Sequence, residues 1–285
     1  MDTTNLKGRT ALVTGAGSGI GRASALAFAR RGADLALCDL NEAGLTETAA
    51  AARALGVDVF TQRVDVASAD QMQAFADAVH ARVPAVGILM NNAGVGLGGG
   101  LLDTTLEDWR WIVDINLMGV VHGIHCFVPA MVRAARGGHV VNVASMAGYF
   151  ASSTLPAYTT TKFAVVGLSE SLREELAPHG IGVTAVCPGV INTPIVHAGR
   201  MRGAADDPKL RAQMARLFER RNYPPERVAE NVLKAIARNR AIAPISPEAW
   251  IFYYLKRFVP GLVRALGGAI ARRGPSARPT TRGIG

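Results

Sequence analysis

Short apolar runs of strand length recur along the whole chain, each separated from the next by a helical pattern, and this alternation narrows the fold more than any other feature. "TALVT" (10–14), "ADLALCD" (33–39), "VDVFTQRVDV" (57–66), "VGILMNNAG" (86–94), "HVVNVAS" (139–145), "GVTAVCPG" (182–189) and "AIAPIS" (241–246) read as about seven strands. Near-continuous apolar strands are buried on both faces, which implies a parallel sheet covered by helices on both sides. Right-handed crossovers then wind it as an α/β, doubly wound parallel sheet that holds ligands outside the carboxyl ends of its strands. Polar punctuation gathers at those ends: Gly15 to Gly21, Asp39, Asp65, Asn91 to Gly94, Ser145 and Pro188-Gly189.

The first of these is "TGAGSGIG" (14–21), which sets Gly15, Gly17, Ser18, Gly19, Ile20 and Gly21 between a strand and a helix. Glycines let backbone amides approach a pyrophosphate, and the helix N-terminus adds partial positive charge; a tight turn with no ligand would use the same glycines. Asp39 ends the second strand, where a carboxylate meets both hydroxyls of an adenosine ribose and repels a 2′-phosphate. No Lys or Arg precedes Arg22 in the loop or flanks Asp39, so the expected cofactor is NAD rather than NADP, unless Asp39 only caps the next helix. Asp65 and Val66 could contact the adenine edge and face, or could simply end a strand and cap a helix.

"YTTTK" (158–162) places Tyr158 and Lys162 at i, i+4 on one helix face. Reduction of a ketone by hydride needs a proton donor at the developing alkoxide, and the reverse reaction needs the same group as a base. A phenol of pKa ~10 is a reluctant base near neutrality. A nearby ammonium and a positive nicotinamide would favour the phenolate, so Tyr158 is the expected acid/base and Lys162 the group lowering its pKa. Ser145 would hydrogen-bond the substrate oxygen; alone it is equally a turn residue.

Taken in order, "TGAGSGIG", "NNAG" (91–94), Asn116 in "DINLMG", Ser145, "YTTTK" and "PG" (188–189) resemble the motifs of the short-chain dehydrogenase/reductases, over about residues 5–195. The resemblance implies a Rossmann-type domain in which Lys162 also binds the nicotinamide ribose and Asn116 holds a water that links Lys162 to solvent. Asn92, Ala93 and Gly94 would brace the cofactor floor, and Pro188, Gly189, the Ile191 backbone and the Thr193 hydroxyl would embrace the nicotinamide carboxamide. It also implies a homotetramer built on the helices at about 105–135 and 154–177, which the C-terminal tail could limit to a dimer. Small residues are commoner in the family where this chain has Thr159 to Thr161.

The expected organisation is one catalytic domain over 1–246, with a substrate lid at about 194–224 and a basic aromatic extension over 247–285. Val95, Leu97, Met146, Tyr149, Leu155 and Val190 would line a pocket with lid residues Met201, Leu210, Met214, Leu217 and Phe218, favouring a hydrophobic alcohol or ketone. Arg200 or Arg202 could instead meet an acidic substrate. Residues 1–199 hold 13 Lys and Arg against 16 Asp and Glu, and residues 200–285 hold 18 against 6, so the basic character belongs to the C-terminal third. There, Trp250, Phe252, Tyr253, Tyr254, Phe258, Leu262, Leu266 and Ile270 interleave with Lys256, Arg257, Arg264, Arg272 and Arg273. That segment reads as a packed helix, a subunit contact or a peripheral membrane contact, with no motif for nucleic acid.

The opening "MDTTNLKGRT" has no signal-like apolar run, and no stretch reaches the ~18 to 20 uncharged apolar residues of a membrane span, so a cytoplasmic location is expected. Cys38, Cys126 and Cys187 are scattered in apolar stretches and read as free thiols. His122 and His125 lack a third partner, and no metal is expected. The function these readings favour is hydride transfer between NAD and a secondary alcohol or ketone. Two alternatives stand beside it: an NADPH-dependent 3-oxoacyl thioester reductase, which Asp39 disfavours, and a nucleotide-binding redox sensor without turnover.

Overall fold

A computed structural model describes residues 1–193, 199–261, 263 and 265, without the side chains of 214, 215, 218 and 219. Its strands are β1 (Thr10–Thr14), β2 (Asp34–Asp39), β3 (Val59–Arg63), β4 (Ile88–Asn91), β5 (Leu97–Gly98), β6 (Gly138–Val143), β7 (Ile181–Pro188), β8 (Arg200–Met201) and β9 (Ile242–Ile245). The helices are α1 (Gly19–Arg30), α2 (Glu42–Arg53), α3 (Ala69–His80), α4 (Leu106–Val113), α5 (Gly119–Ala134), α6 (Pro156–Leu176), α7 (Pro208–Arg221), α8 (Pro225–Ala237) and α9 (Pro247–Phe258). A seven-stranded sheet runs in the order β3-β2-β1-β4-β6-β7-β9, parallel throughout. The order reverses between β1 and β4, which opens a crevice at their carboxyl ends, the usual ligand position in such sheets.

Side-chain alternation explains the unbroken apolar runs. On β1, Ala11 and Val13 enter the core shared with Phe28 of α1 and Val232 of α8, while Leu12 enters the core shared with Phe75 of α3 and Phe127 of α5. The same division holds on β4, with Ile88 and Met90 on the first side and Leu89 on the second. Each such side chain contributes roughly 1.5–3 kcal/mol by burial.

Several boundaries differ from the sequence expectation for identifiable reasons. β3 stops at Arg63 because the chain then bends into α3: the Ala67 amide donates to Asp65 Oδ1 (3.0 Å) and the Ser68 amide to the Asp65 carbonyl (3.1 Å). β4 ends at Asn91 because the Asn92 and Ala93 amides both turn to Thr14 Oγ1, at 3.0 Å each. The paired β5 and β8 form a separate two-stranded sheet, too short to leave a periodicity in the sequence. The helical run Leu106–Ala134 is long and apolar enough to cross a membrane by length and composition. Its Phe127, Val128 and Met131 are spent on the sheet.

Candidate active site

At the β1–α1 turn the backbone is left-handed at Gly15 (φ +67°), and a Cβ there would stand 2.8 Å from Ala93 Cα. A Cβ on Gly21 would collide with the Gly15 carbonyl. The glycines therefore let the turn lie directly on the "NNAG" segment and on α1, where side chains would fill the space. Asn92 secures that contact by donating to the carbonyls of Thr14 (2.9 Å) and Gly15 (3.1 Å). Ser18, exposed at the N-cap of α1, makes no side-chain cap, and the first turn of α1 contains no acid. Its amides and dipole thus suit an anion, while partly buried Ile20 packs against the core.

Asp39 accepts from the Gly17 amide at 2.7 Å and from the Asn41 amide at 2.8 Å, so its carboxylate is fixed at the edge of the glycine turn. Asn41, by accepting from Gly44, is itself the cap of α2. Arg22 is engaged with the carbonyls of Gly17 and Gly44 and with Glu47 Oε2 (2.8 Å). This pocket edge is acidic, with its nearest guanidinium already committed. A dinucleotide with free ribose hydroxyls fits these residues better than one bearing a 2′-phosphate. Asp65 is occupied with the turn after β3, and Val66 is buried with its carbonyl facing His122 Nδ1 at 2.8 Å.

Asn116, Tyr158 and Lys162 come together with Gly94. Asn116 sits in a π turn, Asp114–Met118, between α4 and α5. The wider turn directs its amide at Val95, whose N–H it accepts (2.8 Å) and whose carbonyl it meets as donor (2.9 Å). A Cβ on Gly94 would lie 3.2 Å from Asn116 Oδ1 and 3.5 Å from Lys162 Nζ. Lys162 is buried, donates to the Val143 carbonyl at 3.0 Å, and stands 5.7 Å from the centre of the Tyr158 ring. Burial pulls its amine down to about 8. Thr161 bridges Asn116 Nδ2 (3.4 Å) and the Tyr158 carbonyl (2.8 Å).

Ser145 follows β6 and accepts from the Ala147 amide at 3.1 Å, which aims its hydroxyl from the start of a 3-10 turn, Met146–Gly148. Burial pushes the Tyr158 phenol above its ordinary value, and the Ser145 hydroxyl pulls it the other way. The expected lowering by Lys162 is thus not what governs Tyr158 in the protein alone. Crowding dominates, although the side chain keeps some contact with solvent.

Beside Tyr158 lies an apolar cluster of Leu97, Ile112 and Ala157 with Val95, Trp109 and Trp111. Tyr149, expected to line this pocket, is instead buried with its hydroxyl donating to the Ala249 carbonyl at 2.7 Å. Arg200 and Arg202 do not await an acidic substrate. Arg202 grips Asp108 with two nitrogens (2.9 and 2.7 Å), and Arg200 approaches the same carboxylate at 3.4 Å while lying 4.0 Å over the Trp111 ring. Arg202 holds the Asp108 carboxyl well below the usual carboxylate range, and the Thr105 amide adds to the effect.

Asp108 is shielded from solvent but lies close beneath the surface, so Arg202→Gln is expected to cost only about 1–3 kcal/mol at pH 7. Because the folded carboxyl titrates below its unfolded value of ~3.9, that loss is full above pH ~5 and shrinks as pH falls through the folded value. Urea titrations of both proteins at neutral and at acid pH measure it. A loss that stayed constant into acid would contradict the assignment.

In the segment expected to hold the nicotinamide, Pro188 closes β7 and the Gly189 amide donates to the Ile245 carbonyl at 3.1 Å. The Ile191 side chain turns into the core, and Thr193 is partly exposed. Glu248 was not anticipated: it accepts from the Val190 amide (3.0 Å) and from Arg221 (2.7 Å), joining α9 to this loop and to α7. From sequence alone it signals only an acid in the first turn of a helix. Residues 194–198, the Met214 and Phe218 side chains, and Leu262, Arg264, Leu266, Ile270, Arg272, Arg273 and the tail lie outside the described residues.

A family model described as short chain dehydrogenase matches residues 9–202. "Probable oxidoreductase EphD" of Mycobacterium tuberculosis is 41% identical over 257 residues, covering 89% of this chain and 43% of its own length. Estradiol 17-beta-dehydrogenase 11 of Macaca fascicularis is 37% identical over 195 residues, 67% of this chain and 65% of its own. The chain thus spans less than half the length of the first of these relatives. A crystal structure of a short chain dehydrogenase/reductase from Burkholderia phymatum in complex with NAD superimposes with a TM-score of 0.81 at 34% identity, covering 90% of this chain and 96% of that one.

Proposed function

Because the chain belongs to the short-chain dehydrogenase family, we propose that it interconverts a secondary alcohol and a ketone with NAD. The observation that carries this reading is the convergence of Ser145, Tyr158 and Lys162 at the crevice, beside a glycine turn whose edge is the fixed carboxylate of Asp39. When bound, NAD supplies the hydride acceptor or donor. Gly15 to Gly21 would hold its pyrophosphate, with Asp39 at the adenosine ribose and Asp65 and Val66 near the adenine. Asn92, Ala93, Gly94, Pro188, Gly189, Ile191 and Thr193 would support the nicotinamide end, and Lys162 its ribose.

Ser145 holds the substrate oxygen against the Tyr158 phenol. Tyr158 donates its proton to the developing alkoxide in reduction and takes the hydroxyl proton in oxidation. Burial alone works against the phenolate, so positive charge at the nicotinamide, added to Lys162, is what brings Tyr158 into a useful range for oxidation. Lys162 passes the proton onward. The Asn116 amide is committed to Val95, so a relaying water would be held by the Asn116 backbone carbonyl.

The apolar cluster around Tyr158 supports a hydrophobic substrate, and the segment from Arg200 to Arg221 serves as its lid, anchored at one end by Arg202 on Asp108 and at the other by Arg221 on Glu248. Exposed Met118, at the end of the π turn before α5, and exposed Phe163 of α6 support assembly through this side as a dimer or tetramer. Steady-state rates with NADH and NADPH across ketones, diols and acyl thioesters test the reading. Turnover is expected with NADH and apolar ketones. A preference for NADPH and acyl thioesters would replace it with the thioester reductase reading.

A further inference from the structure

Among the described residues, helix α9 has one face spent on the protein and one that is not. Phe252 packs on Phe150 with ring centres 4.4 Å apart, and Tyr253 on Tyr149 at 5.5 Å. The outer face carries Ile251, Tyr254 and Phe258 at i, i+3 and i+7, exposed by 57%, 49% and 71%. Trp250 stacks on Tyr254 (5.6 Å) and Tyr254 on Phe258 (6.1 Å), forming a ladder of aromatic rings along that face. Singly scattered apolar residues need no explanation, but a contiguous aromatic patch marks a contact site.

Charge selects the occupant. Lys256 and Arg257 close the last turn of α9, and the Arg240 guanidinium lies 5.3 Å over the Trp250 ring. Residues 200–285 hold 18 Lys and Arg against 6 Asp and Glu, whereas residues 1–199 are slightly acidic. Two copies meeting through α9 would bring two strongly basic thirds together. An anionic bilayer attracts the same charge, and Trp and Tyr beside basic side chains suit the headgroup level of a membrane.

We propose that the outer face of α9 docks the protein on an anionic phospholipid surface as a peripheral contact, with Ile251, Tyr254 and Phe258 entering the interface and the basic residues meeting headgroups. The same helix holds the Val190 amide through Glu248, so the docking face and the candidate active site share one element. The inference does not depend on which reaction the site performs.

Flotation of the full-length protein with vesicles of phosphatidylglycerol and phosphatidylcholine in equal parts, against phosphatidylcholine alone, tests it. The protein is expected to float with the anionic vesicles and to stay in solution with the neutral ones. The triple variant Ile251→Ser, Tyr254→Ser, Phe258→Ser should reduce the vesicle-bound fraction at least about tenfold, with an unchanged thermal midpoint. Should that variant not fold, Phe258→Ser, at the end of the helix, should give a smaller loss in the same direction. Wild-type protein that stays in solution with both vesicles, or variants that float as well as wild type, would overturn the proposal. So would absence of vesicle binding together with a smaller particle size for the variant on gel filtration, which would assign the face to a second copy.

Discussion

Tyr158→Phe is expected to lower kcat for ketone reduction about 10³-fold while leaving the dissociation constant of NADH within about threefold, as befits loss of a positioned proton donor. The substitution removes one oxygen from a ring that stays in place, since the ring packs beside Val95, Ala157 and Trp111 independently of the hydroxyl. Ser145 would still orient the substrate oxygen, so substrate KM should change far less than kcat. Single-turnover mixing of NADH-loaded enzyme with ketone separates the chemical step from binding. A variant retaining more than a tenth of the wild-type rate would remove Tyr158 from the chemistry and leave Ser145 or an ordered water as donor.

The second large effect is expected at Asp39. Wild-type enzyme should favour NADH over NADPH by about 100-fold or more in kcat/KM, the ~2.7 kcal/mol that a nearby carboxylate can impose on a 2′-phosphate after solvent screening. Asp39→Asn should bring that ratio below about tenfold. The change keeps an oxygen for the Gly17 amide, now at 2.7 Å, but sets the amide nitrogen, a donor, against the Asn41 N–H. Some loss with NADH is therefore expected together with the gain in NADPH use. Steady-state rates with both cofactors at fixed ketone measure it, and an unchanged ratio would mean that Asp39 serves only the turn and the start of α2.

Much of this was legible because each motif stands at the end of a strand, and a buried parallel strand writes itself as an apolar run. Gly15, Asp39, Asn92 and Ser145 each fall within or just after such a run. Contacts between segments remote in sequence were not legible. Asp108 reads as part of a helix start until Arg202, just past a strand of two residues, reaches it beside the β5–β8 pair. Glu248 has no sequence signal tying it to Val190, because only the parallel alignment of β7 and β9 brings them together. Nothing in the sequence marks Thr161, because propensity weighs a threonine in a helix, not its reach to Asn116. The Tyr158 phenol, raised by burial, shows the same limit: the i, i+4 spacing supplied the lysine but not the crowding around the pair.

The most direct test of the account follows the transferred hydrogen. Enzyme given NADH deuterated at the transferable position of the nicotinamide ring, together with an apolar ketone, is expected to yield a secondary alcohol carrying one deuterium on its carbinol carbon for each NADH consumed. Tyr158→Phe should abolish that product on the same timescale while still binding the cofactor. Tight NADH binding with no deuterium reaching any ketone of the panel would contradict the account and leave a nucleotide-binding protein without turnover.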